Sequence, residues 1–377
     1  MKKKKEFKEY FIEVEDPRIE RTKKHKLEDI FFIAICGVIC GANDWANIEM
    51  FGKAKEEWLQ EQLELPNGIP SHDTFGRVFR QIDPHQFEKC FLAWIQDLRI
   101  ASEGEVVAID GKKLRRSHDK REDKPAIHMI NAWASANHLL LGQVKTETKS
   151  NEITAIPKLL QLISLRGCIV TIDAMGCQEN IAEEIIKQEA DYVLAVKDNQ
   201  GALYEDIKEL FVGAEAVNYE NVPHDYEKKV NKHGRIEVRR CWVITDREYI
   251  EYIRKYQRWK KLKSIIMVES ERIIDDKSSK ERRYYISSLE PSAQIALNAV
   301  RSHWQVENCV HWILDVSFRE DDSRIRKGNG AENFAILRAI ALNLLKRETS
   351  LKRSIQGKRL FAGWKNDYLA KIIAGPS

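Results

Sequence analysis

Three short apolar runs constrain this chain most: Val106–Ile109 (VVAI), Cys168–Ile172 (CIVTI) and Tyr192–Val196 (YVLAV). Stretches of helical periodicity stand before and after the second run. One is Glu152–Leu165, with Ile153, Ile156, Leu159, Leu160 and Ile163 on one face; the other is Gln178–Glu189. Apolar strands joined through helices pair in parallel, by right-handed crossovers. His128–Ser135 and His138–Thr146 read as two further strands joined at Ala136-Asn137, a hairpin signal. The expected class is α/β with a mixed sheet. Working groups in such sheets sit at the carboxyl ends of strands. The first two runs end there on an acid, Asp110 and Asp173.

The rest of the chain divides by texture. Residues 1–26 are charged and expected to be mobile. Residues 27–100 read as a small all-helical domain: Leu27, Ile30, Phe31, Ala34, Ile35 and Val38 recur at helix spacing, and Ser71 is placed to cap a helix through Gln81. That Ser71–Gln81 helix, with Arg77 and Arg80 away from its apolar side, is a candidate DNA contact. Residues 101–211 hold the first part of the α/β core. Residues 212–290 break the alternation and read as a β-rich insertion, with strand character at Lys228–Ile244, Lys263–Glu269 and Arg282–Ser288 and a charged turn at DDKSSKER. Residues 291–345 are helical again, and 346–377 form a basic helical tail.

Net charge is only +4, but the cations cluster. Met1–Lys26 carries ten Lys and Arg against six Asp and Glu; Lys112–Lys124 has seven against three, and Lys346–Lys371 eight against two. Such clusters point to a polyanion partner. The MKKKK start has no apolar stretch behind it, so no export signal is expected. The longest apolar run, Ile30–Cys40, is too short to span a bilayer and reads as a core helix. The seven cysteines include no CxxC pair, so neither a zinc site nor a disulfide framework is expected.

A buried acid at the end of a strand is costly without a partner, and two brought together repel. A divalent cation removes both problems, and oxygen ligands suit Mg²⁺ or Mn²⁺. Three carboxylates can hold two ions about 4 Å apart, the arrangement used for in-line displacement at phosphorus. The third acid is assigned to Glu307, within SHWQVENCVHWILDVSF. Asp315 and the Glu320-Asp321-Asp322 cluster are rivals, although Arg319 and Arg324 explain the cluster as local ion pairs. Directly after Asp110 come Lys112, Lys113, Arg115 and Arg116, expected to line the approach for a phosphodiester backbone.

Several segments in order, VVAIDGKKLRRS, VTIDAMGCQ, VKDNQ, HGRIE and SHWQVENCVHWILDVSFREDDSR, resemble the H-repeat-associated DDE transposases of bacterial insertion sequences. DPRIERTKKHKLEDIFFIAICGVICGANDW and IPSHDTFGRVF are similar to that family's associated N-terminal domain, so the likeness runs from about Asp16 to Ile373. It implies an RNase H-like catalytic domain and a DDE triad of Asp110, Asp173 and Glu307 acting as catalytic groups and metal ligands. It also implies a Mg²⁺- or Mn²⁺-dependent enzyme, with two ions, that cleaves DNA at terminal inverted repeats and joins it to target DNA. The implied partners are double-stranded DNA and further copies of the chain, as a homodimer or larger assembly; no membrane partner is implied. The implied location is the bacterial cytoplasm, at the nucleoid. In the wider group the third acid sits in a Tyr-Arg-Glu-Lys signature. Here His303 holds the Arg position, Val300 the Tyr position and Leu314 the Lys position, so His303, His311 or Arg301 is expected to supply the phosphate contacts. Gln178 and Lys197 are expected near the same strand ends. Trp242 or Trp259 is available to stack a flipped base. Two other readings stay open: a metal-dependent nuclease without strand transfer, and an inactive or domesticated descendant that binds DNA.

Overall fold

Val106 to Ile109 are apolar at four consecutive positions, so both faces of the strand they form must be covered; all four are buried. The computed structural model describes residues 7–100, 102–118, 125–146, 152–230, 236–274 and 277–375. Its strands are β1 (Val106–Lys113), β2 (His128–Ala134), β3 (Leu139–Thr146), β4 (Ile169–Ile172), β5 (Asp191–Val196), β6 (His224–Val230), β7 (Ile236–Ile244), β8 (Ser264–Ile274) and β9 (Lys277–Ser287). Among the described residues they make one nine-stranded sheet in the order β3-β2-β1-β4-β5-β9-β8-β7-β6. β1, β2 and β3 pair antiparallel, and β4 and β5 are added in parallel to β1. That mixed five-strand unit, with helices on both faces, is the RNase H-like arrangement.

Side-chain alternation sends the two halves of each strand to different layers. Val106, Ile169 and Val193 meet the helix Ala293–Val306 on one face, together with Cys241, Val243 and Ile266 of the added strands. Val107, Ile109, Val170 and Leu194 join the main core on the other face, where the helices Glu152–Leu162 and Glu179–Lys187 pack. β9 pairs antiparallel with β5, from Val193↔Ser287 to Val196↔Tyr284. The β-rich insertion therefore prolongs the same sheet. Its strands also differ from expectation. Lys228–Ile244 is divided between β6 and β7, and most of DDKSSKER belongs to β9 rather than to a turn. Asp275 and Asp276 lie outside the described residues.

The N-terminal helices, among them Leu27–Ile39, His72–Gln81 and Pro84–Leu98, form as their sequence pattern requires. Ser71 caps the second of these, its hydroxyl accepting from the Thr74 N–H at 3.3 Å. Phe75, Val78 and Phe79 are buried and Arg77 and Arg80 exposed, as the helix periodicity predicts. These helices do not close a core of their own. The helix Gly330–Arg347, buried along nearly its whole length, packs on all three and on β3. Two of its asparagines act as pegs. Asn333 Nδ2 donates to the Phe79 carbonyl at 2.6 Å. Asn343 both accepts from the Leu140 N–H at 2.8 Å and donates to its carbonyl at 2.9 Å. One continuous hydrophobic core results.

Two terminal expectations are corrected. The stretch 1–26 is not mobile where it is described, from Phe7 onward: Tyr10, Phe11 and Val14 are buried, and the Tyr10 hydroxyl donates to Asp97 at 2.7 Å. In the basic tail, Lys358 and Arg359 face inward, 7% and 1% exposed. Arg359 donates to the carbonyls of Val38, Ala42 and Ser317, and its guanidinium lies 4.2 Å over the Phe318 ring. Those cations finish helix ends instead of forming an anion-binding face. Arg359→Met is expected to destabilise the protein by about 3 kcal/mol, since it leaves buried carbonyls without donors. Urea unfolding checks this, and an unchanged midpoint would contradict it.

Candidate active site

The register of β1 and β4 determines the site. Ile109 pairs with Ile172, so Asp110 and Asp173 are the next residues on neighbouring parallel strands, about 4.8 Å apart across the sheet. β4 stops there as expected, and Asp173 caps the following turn by accepting from the Met175 N–H at 3.1 Å. β1 does not stop. It runs on to Lys113, paired with β2 through Asp110↔Asn131 and Lys112↔Met129. Asp110 is thus a mid-strand residue, and a cleft opens where its parallel neighbour ends.

The helix Ala293–Val306 crosses this cleft on the face that carries Asp110. It continues through a π-helical turn, Glu307–His311, into Trp312–Val316. Glu307 begins the π turn and is exposed. Asp110, Asp173 and Glu307 line one cleft of about 320 Å³, with Lys197, Asp198, Arg283, His303 and Trp304.

Charge in this cleft is unbalanced. Asp110 is pushed up from 3.8 to about 7, first by burial, then by Asp173, and further by Glu307 and Glu152; the Gly111 N–H, donating at 2.9 Å, opposes this. Glu152 stands close behind β1, so a side chain at Gly111 would meet its carboxylate at 2.6 Å. His311 does not neutralise the acids. Its Nδ1 is 3.6 Å from Asp110 Oδ2, but burial, helped by Lys112, lowers its pKa to about 4 and leaves the ring neutral at physiological pH. Burial likewise lowers the pKa of His303, whose Nδ1 shares a 3.1 Å hydrogen bond with the Thr171 hydroxyl. Hard oxygen donors held in mutual repulsion fit a divalent cation. In such a site Asp110 and Asp173 would form the floor and Glu307 a wall. Among the described residues, no three acidic, His or Cys side chains are already closed around a common centre.

The basic loop is placed differently from expectation. Lys112 is 8% exposed, and its ammonium is taken up by Asp315 and by Glu320 at 2.6 Å. It does not line a phosphate path, because Glu320 is itself buried and requires the charge. Lys113 is exposed. Arg115 and Arg116 are exposed and pair with Asp321 and Asp322 at 3.1 and 3.3 Å. The 320–322 cluster is therefore balanced largely from the Asp110 strand and its loop, with Arg319 adding one pair to Asp322 at 3.3 Å. Lys197 lies exposed at the end of β5, in the cleft. Arg301 is half-buried one turn before Trp304 and does not line the cleft. Gln178 precedes the helix Glu179–Lys187.

Of the aromatics expected to meet a base, Trp259 is buried at 6% exposure and Trp242 stacks on Tyr219 at 4.6 Å. The tryptophan that does reach the cleft is Trp304, 41% exposed, with the Arg283 guanidinium 4.8 Å over its ring; Tyr204, Tyr284 and Tyr285 also line it. Sequence reasoning missed both Trp304 and Arg283. Trp304 had a signal, three positions before Glu307 on one helix. Arg283 had none, since it depends on β9 joining β5.

The raised pKa of Asp110 has a stability consequence. Between about pH 4 and 7 the folded protein holds a proton that the unfolded chain releases, so metal-free stability falls as pH rises through that window. Asp110→Asn is expected to stabilise the metal-free protein at pH 8 by on the order of 1–3 kcal/mol, with little difference at pH 4. Thermal unfolding in EDTA at both pH values measures it; equal gains at the two would contradict the assignment.

The family described as "Transposase DDE domain" matches residues 101–344, and the one described as "DDE_Tnp_1-associated" matches residues 8–95. "Putative transposase YncI" of Escherichia coli O157:H7 is 42% identical over 98% of this chain and 94% of its own length. "H repeat-associated putative transposase YhhI" of Escherichia coli K12 is 42% identical over 97% of each chain. A solved structure of the piggyBac transposase synaptic complex with hairpin DNA aligns over 96% of this chain and 76% of its own, with a TM-score of 0.43 and 13% identity. Among the described residues, no helix is long and apolar enough to cross a membrane.

Proposed function

The chain belongs to the DDE transposase family, and from that premise we propose that it cleaves DNA at the terminal inverted repeats of an insertion sequence and joins the freed 3′ end to target DNA. The observation that carries this reading is the β1–β4 register, which sets Asp110 beside Asp173 under a helix bearing Glu307. Two Mg²⁺ or Mn²⁺ ions held by these three acids would supply Lewis-acid chemistry to both steps, activating the attacking oxygen and stabilising the leaving 3′ oxygen.

The chain's own groups do the rest. Asp110 lies on β1 and Asp173 directly follows β4, its parallel neighbour, so the floor of the site is held by the sheet. Lys197 presents a cation at the cleft for the phosphodiester, Arg283 does so once it exchanges Glu281 for phosphate, and Trp304 offers an aromatic ring against which a base can stack. Arg115 and Arg116, exposed in the loop after β1, add two further cations, although each must first exchange its aspartate, Asp321 or Asp322, for phosphate. Two DNA ends must be held at once, so the working form is a dimer or larger assembly on double-stranded DNA.

Asp110→Ala, Asp173→Ala and Glu307→Ala are each expected to lower cleavage and strand transfer by ~10³-fold or more, the scale of losing a principal electrostatic group, while leaving DNA affinity nearly unchanged. Assays on the element's terminal repeats with Mg²⁺ measure both steps. Full activity in any variant removes that residue from the triad. Cleavage without joining would favour a nuclease, and binding without cleavage by wild type a DNA-binding descendant.

A further inference from the structure

Glu307 differs from the two aspartates in one respect: it stands on a helix, so its height above the sheet depends on whatever ties that helix down. Three polar contacts do this at successive points. His303 bonds Thr171 at 3.1 Å, and Thr171 lies two residues before Asp173 on the same face of β4. His311 accepts from the Asn131 amide at 3.2 Å and places its Nδ1 3.6 Å from Asp110. Asn131 is the β2 register partner of Asp110. Asp315 meets Lys112, two residues beyond Asp110 on β1. Glu307 is four residues from each histidine, so the two rings bracket it, one over each aspartate strand.

The spacing supports a matched fit. Two residues along a strand cover about 6.6 Å, and four along a helix about 6 Å. The pairs Asp110–His311 and Lys112–Asp315 therefore form two rungs of one ladder. In a uniform α-helix, four residues overshoot a full turn by ~40°, so His303 and His311 would drift apart around the axis. The π turn Glu307–His311, with its wider i→i+5 closure, takes the overshoot back and returns His311 to the stripe of His303.

We infer that His303 and His311 are positioning residues that fix the Glu307 carboxylate over the two aspartates, rather than contacts to DNA phosphate. His311 turns both ring nitrogens to the sheet and His303 its Nδ1, and Lys112–Asp315 is the third peg. This inference rests on the metal-binding reading of the triad. It departs from the expectation that a group at His303 reads phosphate.

The test compares wild type with His303→Leu, His303→Asn, Thr171→Val, His311→Leu and Asp110→Ala, all as full-length folded protein verified by circular dichroism. Thr171→Val removes the strand partner without touching the helix, and His303→Asn retains a polar atom near the Nδ1 position. Three quantities are read: Mn²⁺ affinity without DNA by calorimetry, DNA affinity against salt in EDTA, and the Mg²⁺ concentration giving half-maximal cleavage. His303→Leu, Thr171→Val and His311→Leu are expected to weaken Mn²⁺ binding and raise the half-maximal Mg²⁺ concentration at least tenfold. DNA affinity and its salt slope should stay unchanged, and His303→Asn should recover most of the loss. Wild-type metal behaviour combined with weaker DNA binding and a shallower salt slope would overturn the inference in favour of phosphate contact. Wild-type values throughout would overturn it too. Equal Mn²⁺ binding by wild type and Asp110→Ala would instead overturn the triad's metal reading, and this inference with it.

Discussion

Parallel pairing of β1 with β4 is the constraint on which the site depends. It sets two aspartates side by side where neither can be moved without breaking the sheet, and burial raises the cost of charging both. A fold that stored such repulsion to no purpose would gain by replacing one acid. Three of the four cations that follow Asp110 are withheld from it: Lys112 is committed to Asp315 and Glu320, and Arg115 and Arg116 to Asp321 and Asp322. The acids are left to be balanced by something from outside the chain, and a divalent ion is the partner their oxygens suit.

The cations withheld from the acids join the architecture. Lys112 links the Asp110 strand to the region after the Glu307 helix. Arg359 links the end of the first core helix to Ser317. With Asn333 and Asn343 on the helix Gly330–Arg347, these buried polar contacts join the N-terminal helices, the sheet and the chain's last third into one body. That a basic cluster predicts a polyanion partner holds only for side chains left in water. In the C-terminal segment part of the charge is structural, because helix ends and buried carbonyls need donors.

The apolar runs of β1, β4 and β5, the hairpin of β2 and β3 and the amphipathic N-terminal helices were legible because each is a local pattern of period 2 or 3.6. The acids were legible for a related reason, standing where apolar runs stop. The extension of β1 past Asp110 was not, since GKK carries no strand signal and its pairing with β2 decides it. The division of Lys228–Ile244 into β6 and β7, and the fusion of the insertion to β5, depend on long-range pairing that no local pattern reports.

The sequence by itself determined the class of fold, the order of the elements in the β1–β5 core and which acids were available, because periodicity and side-chain chemistry are properties of short segments. Tertiary structure alone decided the rest. It showed that Asp110 and Asp173 share a register, that Lys112 and Arg359 face inward, and that Trp304 and Arg283 reach the cleft while Trp259 does not. It also showed that a π turn runs from Glu307 to His311 and that His303 and His311 each bond the sheet. Each of these turns on the direction a side chain takes once distant segments have packed, and a linear spacing does not carry that information.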